Sequence, residues 1–281
     1  MTSKPALHVV PQAGPSAPKL SIIGASKTYV QASGEQVQAL ERATLDIAKG
    51  EFVSLIGPSG CGKSTLLNLI AGLERPDEGE VLMDGRPISD PGPDRAVLFQ
   101  DPSLFPWMSV LGNVEFALEL NGTPRHERTE HAMAWLEKVH LARFALAQPH
   151  ELSPGMRQRA TLARALACQP EILLADEPFG ALDAQSREIL QRELQAVWLE
   201  TRNTFVFVTH NVREAVFLAD RVVLMSARPG TFVAEHRISS PRPRGFEDVL
   251  LSKVVVDVHD HLLKEVESVV ASEEGARPDL A

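Results

Sequence analysis

A glycine-rich loop that ends in a lysine and two hydroxyl residues is the segment of this sequence best suited to bind phosphate. Its glycines let the backbone curve closely around phosphate oxygens with the N–H groups turned inward. In loops of the pattern G-x-x-x-x-G-K-[ST], the lysine reaches the outer phosphates and the first hydroxyl binds Mg²⁺. We expect the cysteine of the loop to be a small tolerated side chain rather than a nucleophile. The loop consists of Gly57, Pro58, Ser59, Gly60, Cys61, Gly62, Lys63, Ser64 and Thr65.

A second group of polar residues stands where an apolar run, residues 172–175, ends in two carboxylates. Neighbouring side chains of a strand point to opposite faces, so Asp176 can face a metal ion while Glu177 faces an attacking water. Transfer of a phosphoryl group needs charge neutralisation at the metal and an oriented nucleophile. The alternative interpretation is that both carboxylates are merely solvated at a sheet edge. The presence of the phosphate loop favours the catalytic interpretation over this alternative.

Two further side chains follow predicted strands, the position at which open α/β sheets bind their ligands. Gln100 follows a predicted strand at residues 96–99, and His210 comes shortly after one at residues 204–208. A single histidine is more often a surface or packing residue, and the chain has nine. Only His210 stands at a predicted site edge, so it joins Gln100 as a candidate.

Strands and helices alternate around these residues. Short apolar runs that end in glycine or polar turns predict strands, and apolar residues at helical spacing predict helices. Asp84-Gly85 between apolar flanks predicts a hairpin, and a second hairpin is predicted across residues 228–230. The predicted strands are residues 20–23, 43–47, 51–56, 96–99, 172–175, 204–208, 221–225 and 231–235, and the predicted helices are residues 63–73, 127–139, 156–167, 185–199, 211–219 and 246–270.

This order predicts an α/β fold with a mostly parallel sheet and an antiparallel portion near the N-terminus. A helical insertion, at about residues 101–166, separates two core strands. Residues 1–18 are rich in Pro, Ala and Ser and predict a disordered tail. The main domain is predicted at residues 19–238. Residues 239–281 form a C-terminal extension, for which a helix covering the core is favoured over a regulatory or dimer contact.

Composition narrows the class of protein. The chain has 281 residues, with 28 basic and 37 acidic side chains and a net charge of −9. That balance argues against a protein that coats nucleic acid or anionic membrane. The two cysteines cannot form a disulfide framework, so a reducing compartment is expected. No apolar run approaches the roughly 20 residues of a membrane span. We therefore expect a soluble cytoplasmic protein whose membrane connection, if any, comes through a partner.

Taken together, the motifs resemble those of the ATP-binding subunits of ABC transporters, in the family's order and over about residues 20–237. The resemblance implies an α/β P-loop NTPase core with a mixed sheet, an antiparallel N-terminal β portion and an inserted helical subdomain. It also implies an ATPase that uses ATP and Mg²⁺. The corresponding segments are the phosphate loop as Walker A motif, LLADEP at residues 173–178 as Walker B motif, Gln100 as Q-loop, residues 152–159 as signature motif, residues 181–183 as D-loop and His210 as switch histidine.

Catalytic roles follow from the resemblance. Glu177 would be the general base or water orienter, and His210 would assist at the γ-phosphate. Mg²⁺ would be bound by Ser64, Asp176 and Gln100, and Gln100 would also sense the metal and move the helical region.

The resemblance also implies a dimer of two copies in head-to-tail order. Each ATP would lie between the Walker A loop of one copy and Ser153 and Gly155 of the other, with Asp183 contacting the opposite subunit. Tyr29, the only tyrosine, lies where the family places an aromatic residue that stacks on adenine. Pro154 departs from the family's usual Leu-Ser-Gly-Gly, because proline removes an N–H and restricts Ser153. A working but weakened contact is expected.

The family also includes ATPases that act on nucleic acid or ribosomes, which is the alternative function. Chromosome-type members insert long coiled coils between the ATP motifs, whereas Lys63 and Asp176 are only 113 positions apart (176 minus 63). No zinc-ligand cluster or basic patch suggests a nucleic-acid partner. A P-loop kinase would not need the signature motif.

The segment DPSLFPW after Gln100 favours transport. It resembles the groove that receives a coupling helix from a membrane permease, with Phe105 and Trp107 as an apolar socket. Packing of both rings inside the helical region is the alternative. The segment most resembles importers of nitrate, sulfonates, taurine or bicarbonate. The implied partners are a second copy, an integral membrane permease and a periplasmic or lipoprotein solute-binding protein, with the ATPase peripheral at the cytoplasmic face of the inner membrane.

Overall fold

Strands and helices alternate in the computed structural model, which describes residues 17–275 and the side chains of residues 17–267. Residues 1–16 of the predicted tail lie outside the described residues. The strands are β1 Leu20–Val30, β2 Gln36–Ile47, β3 Phe52–Ile56, β4 Glu78–Met83, β5 Arg86–Pro87, β6 Arg95–Leu98, β7 Ile172–Asp176, β8 Thr204–Val208, β9 Arg221–Met225 and β10 Phe232–Arg237. The α-helices are α1 Lys63–Ala71, α2 Val110–Leu120, α3 Arg125–Lys138, α4 Pro154–Ala167, α5 Ala184–Thr201, α6 Val212–Leu218 and α7 Val249–Gly275.

The described chain divides into two compact units. The first comprises residues 17–65, Pro76–Pro87 and 210–275, and the second comprises Leu66–Arg75 and Ile88–Thr209. The domain from 19 to 238 and its helical part at about 101–166 remain predictions from the sequence.

An antiparallel sheet of order β2-β1-β4-β5 forms one layer of the first unit. Asp84 and Gly85 both have positive φ, 49° and 74°, as a tight hairpin turn requires. β1 is longer than the predicted strand 20–23. Its register with β2 shifts after Ile22, so the strict alternation that reveals a strand in sequence is lost there.

The same unit contains three strands around the phosphate loop. β3 pairs in parallel with β9, and β9 pairs antiparallel with β10. Every residue of β3 and β9 is buried, which matches their mostly apolar sequences, with Ser54 and Arg221 as the polar exceptions. Helix α6 packs against β3.

Two arginines that follow β10 close the C-terminal end of α6. Arg244 donates hydrogen bonds to the carbonyls of Val216 and Ala219, and Arg242 donates to that of Leu218. These carbonyls have no partners inside the helix, and a cation is favoured at this end of the helix dipole. Burial, and then Arg242, lower the pKa of Arg244 to about 9, which still leaves it protonated at neutral pH.

Helix α7 begins at Val249 rather than at the predicted residue 246. The Phe246 ring stacks on Phe217 at 4.0 Å between centroids, and the Asp248 carboxylate accepts the Leu250 N–H at 2.9 Å. Both contacts hold the chain outside the helix until after residue 248. No described helix is long and apolar enough to cross a membrane.

The second unit contains three parallel strands in the order β6-β7-β8. The register pairs Leu98 with Ala175 and Asp176 with Val208, so all three strands end at one edge. Helices α2, α3 and α4 pack on one another and supply the predicted helical insertion. The mixed α/β architecture predicted from the sequence is confirmed.

Candidate nucleotide site

The phosphate loop joins buried strand β3 to helix α1, as its sequence flanks predict. The buried Lys63 ammonium donates hydrogen bonds to the carbonyls of Gly57 and Pro58, both at 2.8 Å. These bonds bring the end of the loop back to its beginning. Ser64 and Thr65 occupy the first turn of α1, where helical N–H groups and the dipole favour an anion.

Two glycines of the loop could not carry a side chain in this conformation. Gly62 has φ +100°, and a Cβ there would lie 2.6 Å from the Ala39 carbonyl oxygen. A Cβ on Gly57 would lie 2.9 Å from the Met225 carbonyl oxygen. The glycine spacing of the motif is therefore a requirement of backbone packing as well as of phosphate binding.

Cys61 is buried in the loop, with its Sγ 3.7 Å from the Nζ of Lys63. Burial raises the pKa of the Cys61 thiol above its usual value, and the opposing effect of Lys63 is smaller. A thiol that is protonated at neutral pH is a poor nucleophile. These features support the interpretation of Cys61 as a small packing side chain.

Tyr29 lies beside the end of the phosphate loop. Its phenol donates to the Thr65 hydroxyl at 3.5 Å, and the Lys27 ammonium lies 5.8 Å from its ring centroid. The structure thus places Tyr29 in contact with the phosphate loop, and the family resemblance assigns both to ATP binding. The stacking of adenine on Tyr29 remains a prediction.

Gln100, Asp176 and Glu177 gather at the common edge of the parallel strands. The Glu177 N–H donates to the Val208 carbonyl at 3.0 Å, and its carbonyl accepts the Gly180 N–H at 3.0 Å. A Cβ on Gly180 would lie 3.3 Å from Nε2 of Gln100. The turn after Glu177 therefore contacts Gln100, and the three predicted residues lie in one small region.

Glu177 itself adopts φ +44°, a conformation that costs about 1–2 kcal/mol for a residue with a side chain. Such strain persists only where the surroundings enforce it, as at functional sites. This feature could not have been read from the Asp-Glu pair in the sequence.

His210 is exposed and lies between β8 and α6. The next residue, Asn211, caps α6 by accepting the Glu214 N–H at 3.2 Å. The cap fixes where the helix starts and so fixes the position of the histidine that precedes it.

Oxygen donors are the chemistry that Mg²⁺ prefers, and it usually takes one or two carboxylates with substrate phosphates. Ser64 offers a hydroxyl, Gln100 an amide oxygen and Asp176 a carboxylate. Within the described residues, no group of three or more His, Cys, Asp and Glu could hold a metal by itself. Each of these groups is by its chemistry a suitable oxygen ligand for Mg²⁺, and their joint binding of one ion together with a nucleotide remains a prediction.

The signature motif opens helix α4. The Ser153 Oγ accepts the Met156 N–H at 3.3 Å, and Pro154 occupies the first helical position. A proline fits there because that N–H has no partner within a helix. Gly155 has room on its side-chain face, since the atom nearest to an added Cβ would be the Cβ of Ser186 at 3.8 Å.

Asp183 opens the neighbouring helix α5 and accepts the Ser186 N–H at 2.9 Å. Hydrogen bonds from the Ser186 side chain and backbone lower the pKa of Asp183. Because Gly155 faces Ser186, the starts of α4 and α5 lie side by side. The structure therefore brings together Ser153, Gly155 and Asp183, the three residues predicted to contact a second copy.

Phe105 and Trp107 have different surroundings: Phe105 packs within the helical region, as the alternative interpretation expected, whereas Trp107 is exposed and its contact with a permease remains a prediction. Phe105 packs edge-on against Phe116 at 5.1 Å and lies 5.3 Å from the Arg164 guanidinium. Trp107 is 72% exposed, with its ring 5.4 Å from that of Phe105. A groove of about 490 Å³ beside them is lined by Ser109, Glu115, Phe116, Arg128 and others.

One contact of the phosphate loop was missed by the sequence motifs. Arg228 donates from Nε to the Gly60 carbonyl at 3.1 Å, and a Cβ on Gly230 would lie 1.9 Å from the Cys61 carbonyl oxygen. The sequence predicted only a hairpin turn at these residues. A Pro-Gly turn directly after a buried strand was the available signal, but it does not reveal what the turn packs against.

Comparison with protein families matches residues 40–180 to the ABC transporter model. The nitrate import ATP-binding protein NrtD of Synechocystis sp. is 47% identical over 222 residues, covering 79% of this chain and 83% of that protein. The taurine import ATP-binding protein TauB of Rhizobium johnstonii is 48% identical over 215 residues, covering 76% and 82%. The bicarbonate transport ATP-binding protein CmpC of Synechococcus elongatus is 47% identical over 227 residues, covering 80% of this chain and 34% of that longer protein.

The fold is shared with solved ATP-binding cassettes. The cassette MJ0796, in a dimeric post-hydrolysis state with ADP and Pi, matches with a TM-score of 0.68 and 35% identity over 80% of this chain and 99% of that one. This likeness confirms the P-loop NTPase fold. With its phosphate loop, carboxylate edge and signature helix in place, the chain belongs to the ABC transporter family as an ATP-binding protein and is an ATPase.

Proposed function

We propose that this protein is the ATP-hydrolysing subunit of an importer for a small anionic solute such as nitrate, a sulfonate or taurine. The observation that carries the proposal is the conjunction of the ATPase motifs with nearly half-identical relatives that are named for the import of nitrate and taurine. The rival function, a non-transport ATPase acting on nucleic acid or ribosomes, gains no support from these relatives.

Residue roles in ATP binding follow the chemistry of each group. Lys63 and the loop N–H groups bind the phosphates, and Ser64 and Thr65 begin the helix that favours their charge. Tyr29 stacks on adenine. These roles are supported by the buried Lys63 and by the contact of Tyr29 with Thr65.

Catalysis uses the edge of the parallel strands. Asp176 and Gln100 supply oxygen ligands for Mg²⁺, which neutralises charge on the phosphates when bound. Glu177 orients the attacking water or accepts its proton, and His210 assists at the γ-phosphate. Support comes from the strained backbone of Glu177. It also comes from the turn after Glu177, in which Gly180 lies close to the Gln100 side chain.

Two copies act together in the proposal. The adjacent starts of α4 and α5 present Ser153, Gly155 and Asp183 to the ATP bound by the partner copy. The open side-chain face of Gly155 supports this role, as does the dimeric state named for the MJ0796 cassette. Binding of ATP then favours the dimer and hydrolysis releases it, which is a population shift driven by a ligand.

The membrane partners are an integral permease and a solute-binding protein, periplasmic or lipoprotein, with this chain peripheral at the cytoplasmic face of the cell membrane. The exposed Trp107 and the neighbouring groove support a contact with the permease. An apolar anchor beside a polar rim is typical of such interfaces.

The test pairs Glu177→Gln with Glu137→Gln, a change at an exposed carboxylate of α3. Glu177→Gln should bind ATP and dimerise but lose hydrolysis, because the amide cannot accept the proton of water. Glu137→Gln should hydrolyse ATP at the normal rate. Retained turnover in Glu177→Gln would refute the role of that residue.

A gene-deletion strain tests the importer role. Uptake of labelled nitrate or taurine should fall in the deletion strain, return with the normal gene and fail to return with the Glu177→Gln gene. Affinity purification from membranes should recover a permease. Recovery of ribosomes or DNA, with uptake intact, would favour the rival function instead.

A further inference from the structure

The turn between β9 and β10 packs directly on the phosphate loop. Arg228 donates from Nε to the Gly60 carbonyl at 3.1 Å. Two residues later, Gly230 approaches so closely that a Cβ would lie 1.9 Å from the Cys61 carbonyl oxygen. The turn therefore touches two consecutive carbonyls of the loop.

The carbonyls of this loop are turned toward cationic donors. Lys63 donates to those of Gly57 and Pro58 at 2.8 Å, and Arg228 donates to that of Gly60. A loop that binds an anion through its N–H groups needs its carbonyls directed elsewhere and hydrogen-bonded there. Arg228 meets that need at Gly60, the one of these three carbonyls that Lys63 does not reach.

The charge of Arg228 is not neutralised within the described part of the chain. Its guanidinium is exposed, and no described carboxylate lies within ion-pair distance. Gly60 is its hydrogen-bond partner. A positive charge against the loop strengthens the local field for an anion, although the chain as a whole is acidic.

Backbone contacts fix the turn in place. The Gly230 N–H donates to the Ala39 carbonyl at 2.9 Å, and the Gly230 carbonyl accepts the Glu41 N–H at 3.0 Å. Ala39 is also the residue whose carbonyl excludes a side chain at Gly62. The position of Arg228 is thus set by the same backbone contacts that set the loop.

We propose that Arg228 is a positioning residue for nucleotide binding, which holds the Gly60 carbonyl outward and adds positive charge beside the phosphates. The role rests on the proposed ATP site and requires no particular solute. Its effect falls on the affinity for ATP rather than on the hydrolytic step, because the guanidinium contacts the loop and not the water-orienting carboxylate.

The experiment compares Arg228→Gln, which keeps hydrogen-bond donors without charge, with Arg228→Lys, which keeps the charge. The control is Arg237→Gln, at an exposed arginine of the same hairpin. The Kd for ATP and for AMP is measured on the full protein by titration calorimetry, together with KM, kcat and the melting temperature.

Arg228→Gln should raise the Kd and KM for ATP about fivefold, the scale of an exposed charge interaction, with kcat unchanged. Affinity for AMP should change little, because AMP lacks the outer phosphates. Arg228→Lys should recover most of the ATP affinity, and the loss in Arg228→Gln should shrink at high salt, which screens an exposed charge.

Equal ATP affinity in Arg228→Gln and the unmodified protein would overturn the proposal. A loss confined to kcat, or an equal loss in Arg237→Gln, would overturn it as well. An unmodified protein that binds no ATP would instead refute the ATP site itself, so the two failures are distinguishable.

Discussion

Individual residues of the phosphate loop are constrained by backbone contacts more than by side-chain packing. Gly62 sits against the Ala39 carbonyl, and Gly230 sits against that of Cys61. A methyl group added at either glycine would therefore collide with a backbone carbonyl, which cannot move aside as a flexible side chain can. The backbone conformation of the protein therefore requires these glycines even without a bound ligand.

Gly62→Ala provides the test, with Gly34→Ala as its control. Both glycines have positive φ, +100° and +85°, but a Cβ at Gly34 meets nothing within 4 Å. Gly34→Ala should cost about 1–2 kcal/mol of stability from backbone strain and leave ATP binding intact. Gly62→Ala should abolish ATP binding. Urea unfolding and nucleotide titration measure both effects, and equal ATP affinity in the two variants would contradict the expectation.

Site residues could be predicted from the sequence where a motif states their chemistry. Lys63 is predicted from the phosphate-loop pattern, and Asp176 and Gln100 are predicted because strands end next to them. Arg228 could not be found, because its role depends on a contact across 168 positions of the chain. The strain at Glu177 was equally invisible, since it arises from the turn and not from the residue type.

At the scale of elements, the start of helix α4 positions the residues that are proposed to contact the ATP bound by a second copy. Ser153 caps α4 and Ser109 caps α2, each through a bond to Oγ from an N–H three residues later. The two caps are alike in chemistry, but only Ser153 belongs to the signature motif.

Ser153→Ala and Ser109→Ala form a matched pair. Each should lower the free energy of unfolding by about 1 kcal/mol, the usual worth of a serine cap. Ser153→Ala alone should weaken ATP-driven dimerisation, measured by light scattering in a Glu177→Gln background. Equal weakening of dimerisation by Ser109→Ala would mean that loss of helix stability explains the effect. The proposed contact of Ser153 with the ATP of the partner copy would then be contradicted.

A histidine pair joins strand β10 to helix α7. His236 Nε2 lies 2.9 Å from His261 Nδ1. Burial, and then His261, lower the pKa of His236, against a smaller opposing effect of Asp257. The unfolded chain, with its ordinary histidine pKa near 6.5, therefore binds the proton more readily than the folded chain.

This difference in the pKa of His236 between the folded and the unfolded chain makes stability depend on pH. The stability contributed by a neutral His236 is present above about pH 6.5 and is lost as the pH falls through its lowered folded pKa. Melting temperature should therefore drop from about pH 7.5 to about pH 5.5, and the drop should be smaller in His236→Gln. His126→Gln, at an exposed position, should behave like the unmodified protein. An unchanged drop in His236→Gln would show that other groups control the pH response.

Element positions were predictable where a pattern was uninterrupted and less so elsewhere. Strand β3 and the Asp84-Gly85 turn agree with their sequence signals. The predicted helix 63–73 stops at Ala71, because Gly72 has the left-handed φ of +75°, and a Cβ there would lie 2.4 Å from the Asp90 carbonyl oxygen. That approach joins distant residues, so local periodicity does not report it.

At the scale of the whole molecule, the proposed importer role requires a contact with a membrane partner, and no described helix spans a membrane. Trp107, 72% exposed, is the strongest candidate for that contact. A large aromatic side chain in water is a common anchor of protein interfaces.

Trp107→Ala should leave stability and ATPase activity of the isolated protein unchanged, since little of the ring is buried. It should abolish co-purification with the permease and solute uptake. Leu146→Ala, at an 82% exposed leucine, is the control and should preserve both. Uptake that survives in Trp107→Ala would place the permease contact elsewhere.

The closure of α6 by Arg242 and Arg244 has a consequence for how the chain is made. Helix α6 leaves the ribosome before these arginines do. Its terminal carbonyls therefore have no hydrogen-bond donors until more than twenty further residues have been synthesised. A nascent or prematurely ended chain that lacks residues 242–244 would expose those carbonyls and leave the segment after His210 incompletely folded. Proteases that recognise unfolded segments would then remove ATPase subunits that were never completed.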